Sequence, residues 1–139
     1  MNHMKLTFEA KSENESFARS VVAAFFAQLN PTVQEIEDIK TAVSEAVTNS
    51  IVHGYGGKQE GEITIDCTLN VDKMTTLITD HGKGIPDVKR AMEPFFTTLK
   101  NGERSGMGFT VMESFCDSVK VRSRVDRGTT VVLLKRLHK

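Results

Sequence analysis

Glu45-Ala-Val-Thr-Asn49-Ser-Ile-Val-His53-Gly54 puts three polar side chains on one side of a helix. Four helical residues advance about 40° past a full revolution, so Glu45, Asn49 and His53 climb together, a carboxylate next to an amide. Such a pair offers hard oxygen ligands to Mg²⁺, or a base beside a metal. Val33, Ile36, Ile39, Val43, Ala46 and Val47 form the apolar stripe of the same helix, and Glu45 and Asn49 flank that stripe rather than oppose it. Asn49 is a poor helix former in a helix interior, so its amide needs a reason to sit there. His53, near the helix end, reads as structural, its ring favoured by the helix dipole. Tyr55-Gly-Gly57 ends the helix.

Two further segments point to the same chemistry. Asp80-His-Gly82-Lys-Gly84-Ile-Pro86 follows an alternating run, so a carboxylate stands at a strand end with glycines for a tight turn. A carboxylate fixed there accepts from an exocyclic amine such as that of adenine. Arg104-Ser-Gly106-Met-Gly108-Phe109 opens a helix over about 106–116, where unpaired N–H groups and the dipole favour a phosphate. Taken singly, the first is an ordinary strand-to-loop turn, the second is one of many helices that begin with glycine, and Glu45 and Asn49 are a solvated face. Together they read as one ATP site. The chain has no Gly-x-x-x-x-Gly-Lys-Ser/Thr phosphate loop.

Around these segments, Lys5 to Ala10 alternates as a half-buried strand, and Ser12-Glu-Asn-Glu15 has capping-box spacing for a helix whose core face is Phe17, Val21, Ala24, Phe25 and Leu29. Asn30-Pro31-Thr32 stops that helix and starts the next. Ile63 to Leu69 and Lys73 to Thr79 form a hairpin across Asn70-Val-Asp72, and Val119 to Val125 with Thr129 to Leu134 form a second across Asp126-Arg-Gly128. The segment from Pro86 to Ser105 has little apolar periodicity and reads as a mobile loop. The order predicts an α/β (α+β) two-layer sandwich, with helices on one face of a mixed, mostly antiparallel sheet. At 139 residues one domain over 1–139 is expected. Eighteen basic and eighteen acidic side chains cancel, which argues against direct nucleic-acid or membrane binding. Cys67 and Cys116 match no metal-ligand spacing and sit in apolar runs. With no secretory signal and no spanning apolar run, a soluble, cytoplasmic protein is expected.

The motif order resembles the Bergerat-type ATP-binding fold shared by DNA gyrase, the ninety-kilodalton heat-shock chaperone, sensor histidine kinases and mismatch-repair ATPases. That resemblance implies that Asn49 coordinates Mg²⁺, that Asp80 with Thr129 of Gly128-Thr129-Thr130 binds adenine, and that Gly82, Gly84, Gly106 and Gly108 frame ATP or ADP. A closer resemblance runs over nearly the whole chain. Ser12-Glu-Asn-Glu-Ser-Phe-Ala-Arg19, Ser44-Glu-Ala-Val-Thr-Asn49 with His53-Gly-Tyr55, Phe96-Thr97-Thr98 and Glu103-Arg-Ser105-Gly-Met107-Gly-Phe109 look like the anti-sigma F factors of spore-forming bacteria, the stage II sporulation protein AB family.

Membership would make the chain a homodimeric anti-sigma factor that inhibits a sporulation sigma factor. As a protein serine kinase it would also phosphorylate, and so inactivate, a small anti-anti-sigma protein. The resemblance then makes Glu45 the general base, adds Thr97, Thr98, Ser105 and Met107 to the nucleotide pocket, and turns Arg19 and Arg104 toward protein partners. Arg104 could equally reach a phosphate, and the N-terminal strand and first helix are the expected dimer surface. His81 stands where the family commonly has an acidic residue, Lys83 lies between the two glycines, and Leu99-Lys100 replaces Lys-Pro after Thr-Thr. These departures bear on lid contacts and nucleotide affinity. Two alternatives stay open: a nucleotide-gated sigma-binding module without kinase activity, and a histidine kinase catalytic domain, for which no histidine here has a phosphoacceptor's setting.

Overall fold

In Glu62–Asn70 (β2) the residues Ile63, Ile65, Cys67 and Leu69 are buried while the side chains between them are half-exposed, the signature of a strand with one covered face. The same period of two runs through Lys73–Asp80 (β3), where Met74, Thr76, Ile78 and Asp80 are buried, and through Gly128–Arg136 (β5), where Thr129, Val131, Leu133 and Lys135 are. Asp80 and Thr129 are thus polar residues at the end of two apolar rows, turned toward the helices by the alternation that buries the core. They are also cross-strand partners.

The structure is a computed structural model that describes residues 1–58, 60–93 and 108–138. Asn2–Glu9 (β1) and Ser118–Arg124 (β4) complete a five-stranded sheet in the order β1-β2-β3-β5-β4. The expected two-layer sandwich stands, and its sheet is antiparallel in all four pairings rather than mixed. Two of these pairings, β2–β3 and β4–β5, are sequential hairpins, whose short connections join only antiparallel neighbours, while β1–β2 and β3–β5 pair antiparallel across longer connections that carry the helices. Among the described residues no helix is long and apolar enough to cross a membrane.

Helices cover one face. Val33–Asn49 (α2) is central, packed against Glu13–Phe26 (α1) on one side and Gly108–Phe115 (α4) on the other; Val88–Ala91 (α3) is a single turn near β4. Ile39, Ala42, Val43, Ala46 and Val47 of α2 are fully buried, each large side chain contributing roughly 1.5–3 kcal/mol of transfer free energy. Asn30 at φ 55° closes the turn after α1, and Thr32 then caps α2. Thr32 Oγ1 accepts from Glu35 N–H at 3.0 Å while Glu35 Oε1 accepts from Thr32 N–H at 2.8 Å, a complete capping box. Burial works against the Glu35 charge, but the N–H groups of Thr32 and His138 outweigh it and hold the carboxyl below its ordinary value.

Two sequence expectations fail in α1. Ser12 has helical backbone angles and makes no side-chain cap, so the capping box predicted with Glu15 does not form. Glu15 instead pairs with Arg19 one turn on, at 3.4 Å. The buried face is Ala18, Val22, Ala23 and Phe26, one step from the predicted face, which leaves Phe17 53% exposed.

At the opposite end of the sheet from Asp80, buried Lys135 reaches across to the helical layer. Its Nζ donates to the Phe115 carbonyl at the end of α4 (2.7 Å) and meets Asp38 Oδ2 of α2 at 3.1 Å. A cation there complements the α4 dipole and joins both helices to β5.

Candidate nucleotide-binding site

The α2 helix does not run on to His53 as its spacing suggests. After Asn49 the backbone widens into a π turn over Ser50–Gly54, with Tyr55 N–H bonded to the Ser50 carbonyl at 2.9 Å. Such widened turns occur disproportionately at functional sites. Here it carries Gly54 onto the end of β3. The Gly54 carbonyl accepts from Lys83 N–H at 2.9 Å, and Gly82 lies so close that a Cβ on it would sit 2.1 Å from that oxygen. The Tyr55 hydroxyl locks the same corner, donating to the Glu62 carbonyl and accepting from His81 N–H, both at 2.7 Å. Glycine at 82 is therefore required by close approach of two backbones.

Around this corner lies a cavity of about 500 Å³, within the range that suits a small-molecule ligand. Its strand side is Asp80 and Thr129, with Ile85 and Val131 adding apolar surface. Asp80 is 4% exposed and accepts from Gly82 N–H at 2.9 Å. Burial pushes its carboxyl above the ordinary aspartate value, and the Gly82 N–H, the Ser50 hydroxyl and the Thr129 N–H beside it offset part of the rise. A carboxylate accepts about four hydrogen bonds, which leaves lone pairs for a ligand N–H.

The helix side is Asn49 on α2 and Gly108 at the start of α4. An ideal Cβ on Gly108 would stand 3.3 Å from Asn49 Oδ1 and 3.4 Å from Glu45 Oε2, so the missing side chain brings α4 against both polar groups. Glu45 backs this wall from behind the lining residues. Among the described residues no group of three or more His, Cys, Asp and Glu side chains could hold a metal ion. One amide oxygen beside a carboxylate suits Mg²⁺, which keeps most of its ligands as water and phosphate and takes few from protein.

Asn49, Asp80, Gly84, Gly108 and Thr129 all line the one cavity, and Gly82 shapes its corner. Lys83 lines it too, whereas the His81 side chain is exposed and its backbone is tied to Tyr55. His53, expected to be structural, lines the cavity from the π turn. Arg19 lies on α1, outside the lining. Thr97, Thr98, Leu99, Arg104, Ser105, Gly106 and Met107 fall outside the described residues, as does most of the predicted loop from Pro86 to Ser105. Sequence reasoning missed Ser50, a buried donor to Asp80, and Ser123, whose contacts appear only when the turn after Asp80 crosses β4. Ser50 lies next to the Asn49 already singled out; nothing in the sequence marks Ser123.

The antiparallel sheet, the three helices over it and the cavity at the β3–β5 end are the architecture of a histidine kinase-like ATPase domain. A family model of that description matches residues 8–135. In solved structures the chain resembles the RsbU and RsbW domains of a Mycobacterium tuberculosis protein, with a TM-score of 0.70 at 19% identity over 99% of this chain and 32% of that one. It also resembles the catalytic domain of the histidine kinase ThkA, with a TM-score of 0.60 at 15% identity over 99% and 97%. At such identities the likeness is one of fold, and the chain spans about a third of the first of these structures. Sequence relatives are much nearer. The anti-sigma F factor of Clostridium novyi (strain NT) is 54% identical over 98% of this chain and 95% of its own length. That of Thermoanaerobacter sp. (strain X514) is 57% identical over 96% and 93%. The chain belongs to the histidine kinase-like ATPase family and, within it, to the anti-sigma F factors.

Proposed function

We propose that this protein is a cytoplasmic, homodimeric anti-sigma factor that uses ATP and Mg²⁺, binds a sporulation sigma factor, and phosphorylates a serine of its anti-anti-sigma antagonist. What supports the reading most is a single cavity that joins a buried carboxylate at a strand end, Asp80 with Thr129, to Asn49 and Gly108, backed by Glu45. Relatives named anti-sigma F factor are 54–57% identical across all of these elements.

In this reading Asp80 accepts from the adenine amine, and the glycines at 82, 84, 106 and 108 let backbone approach ATP or ADP. Asn49 holds Mg²⁺, which when bound spreads the charge of the phosphates. Thr97, Thr98, Ser105 and Met107 complete the nucleotide pocket, and Arg19 and Arg104 face protein partners. Glu45 takes the proton of the substrate serine as its hydroxyl oxygen forms a bond to the γ-phosphorus, the bond from that phosphorus to the bridging oxygen breaks, and ADP departs. The new phosphate adds about −1.5 to −2 charges to the antagonist, which weakens its hold on this protein by repulsion and desolvation.

The test is transfer of label from γ-labelled ATP, with Mg²⁺, to the anti-anti-sigma protein and to a copy whose target serine is alanine. Label on the first alone is expected, with Glu45→Gln abolishing it and leaving sigma binding intact. No label on either, with ATP binding confirmed in parallel, would leave a nucleotide-gated binding module. Transfer at an undiminished rate by Glu45→Gln would remove Glu45 as the base.

A further inference from the structure

Ser123 lies on β4, behind the cavity wall, and its hydroxyl has three polar neighbours. Ile85 N–H approaches it at 2.7 Å, the Gly128 carbonyl at 3.0 Å and the Thr129 hydroxyl at 2.8 Å. Ile85 N–H can only donate and the Gly128 carbonyl can only accept, so their roles are fixed by chemistry. A serine hydroxyl has one proton and two lone pairs. All three contacts form at once in one arrangement: Ser123 accepts from Ile85, donates to the Gly128 carbonyl, and accepts from Thr129. The Thr129 hydroxyl proton is then spent on Ser123. That hydroxyl has only lone pairs left to offer the cavity.

We infer that Ser123 is a positioning residue that fixes the polarity of the Thr129 hydroxyl, so that the strand side of the cavity accepts hydrogen bonds and donates none. At the 6-position of a purine, Asp80 and Thr129 together then favour the donor of adenine's amino group over the acceptor oxygen of a 6-oxo purine. The inference rests on the reading of this cavity as an adenine-nucleotide site. Ser123 has a second tie to the same wall. The turn Lys83 to Ile85 is laid along the β4–β5 hairpin by Asp126 N–H to the Lys83 carbonyl at 2.7 Å, and a Cβ on Gly84 would sit 2.0 Å from the Arg124 carbonyl oxygen. Loss of the Ser123 hydroxyl therefore has a structural effect as well, and the experiment has to separate the two.

Dissociation constants for ATP and for inosine triphosphate, whose base is 6-oxo, would be measured on the full chain for wild type, Ser123→Ala, Ser123→Thr, Thr129→Val and the Ser123→Ala/Thr129→Val pair. Without Ser123 the Thr129 hydroxyl can turn its proton toward O6, so the preference for ATP over inosine triphosphate is expected to fall about tenfold, the value of one hydrogen bond. Ser123→Thr keeps the hydroxyl and restores the wild-type ratio. In the Thr129→Val background, removing Ser123 leaves the ratio unchanged, because the group it acts through is gone. Equal weakening of both nucleotides by Ser123→Ala would mean that the serine only anchors Ile85, and would overturn the inference. Should Ser123→Ala fail to fold, an unchanged ratio in Thr129→Val alone would overturn it as well. A wild-type protein that binds no ATP would overturn the reading of the cavity itself, an outcome distinct from either of these.

Discussion

The strand side and the helix side of the cavity are built on different principles. Asp80, Thr129 and Ser123 are held by hydrogen bonds to backbone groups and to one another, and the glycines at 82, 84 and 128 are so tightly packed that a Cβ on any of them would lie 2.0–2.1 Å from a carbonyl oxygen. On the helix side a Cβ on Gly108 would lie 3.3 Å from Asn49 Oδ1 and 3.4 Å from Glu45 Oε2, tight contacts made by the ends of side chains that can give by a few tenths of an ångström. One wall is rigid because backbone meets backbone. The other is adjustable because side-chain tips meet a gap. A rigid acceptor surface suits the unchanging edge of a base, and an adjustable one suits phosphates whose number and charge change during a reaction cycle.

The contrast is broken most severely by Gly82→Ala. Its Cβ would force the β3 turn away from the Gly54 carbonyl, with an expected stability loss of about 3 kcal/mol by chemical denaturation and no measurable ATP binding by calorimetry. Asp80→Asn comes next, with a loss of ATP affinity of about 10- to 100-fold, the worth of a hydrogen bond to a charged group. Stability should not follow affinity in this variant. The Asp80 carboxyl is raised in the folded state, so its contribution to stability is full below the unfolded value and is lost as pH rises through the folded one. At neutral pH the buried charge is a cost that the neutral amide lacks, and the denaturation midpoint is expected to equal or exceed that of wild type. The same shift makes wild-type ATP affinity fall on acidification from a higher pH than an ordinary aspartate would give, a slope that Asp80→Asn should lack. Asn49→Ala should remove the Mg²⁺-dependent part of ATP affinity, about five- to tenfold, and leave the Mg²⁺-free affinity unchanged in titrations with and without chelator. Gly108→Ala is the mildest, within about 0.5 kcal/mol of wild-type stability, because the added Cβ meets side-chain tips that need shift by only a few tenths of an ångström and alanine favours the helix. A stability loss there as large as that of Gly82→Ala would erase the distinction between the two walls.

The residues legible in the sequence are those that a simple period places. Alternation along β3 and β5 puts Asp80 with Ile78 and Thr129 with Val131, so their inward direction follows from counting by two. Helical spacing sets Glu45 and Asn49 together beside a strong stripe. The face of α1 was ambiguous for the same reason. Phe17, Val21 and Ala24 recur at helical spacing, and so do Ala18, Val22 and Phe26 one residue later; only packing against α2 and the sheet chooses the second set. The spacing of Ser12 and Glu15 fits a capping box, but Ser12 is itself helical and the cap is not made. The π turn after Asn49 has no period of its own and follows from Gly54 closing on the β3 end. Ser123 is an ordinary residue in an ordinary strand until the turn carrying Ile85 is folded over it.

Lys135 fixes α4 at its far end, where the Phe115 carbonyl and Asp38 are both tied to one ammonium. The eight residues of α4 span about 12 Å, with Gly108 at the cavity at their other end and Phe109 and Met112 seated in the core between. One ammonium buried in the core thus sets the position of a helix whose first residue lines the site.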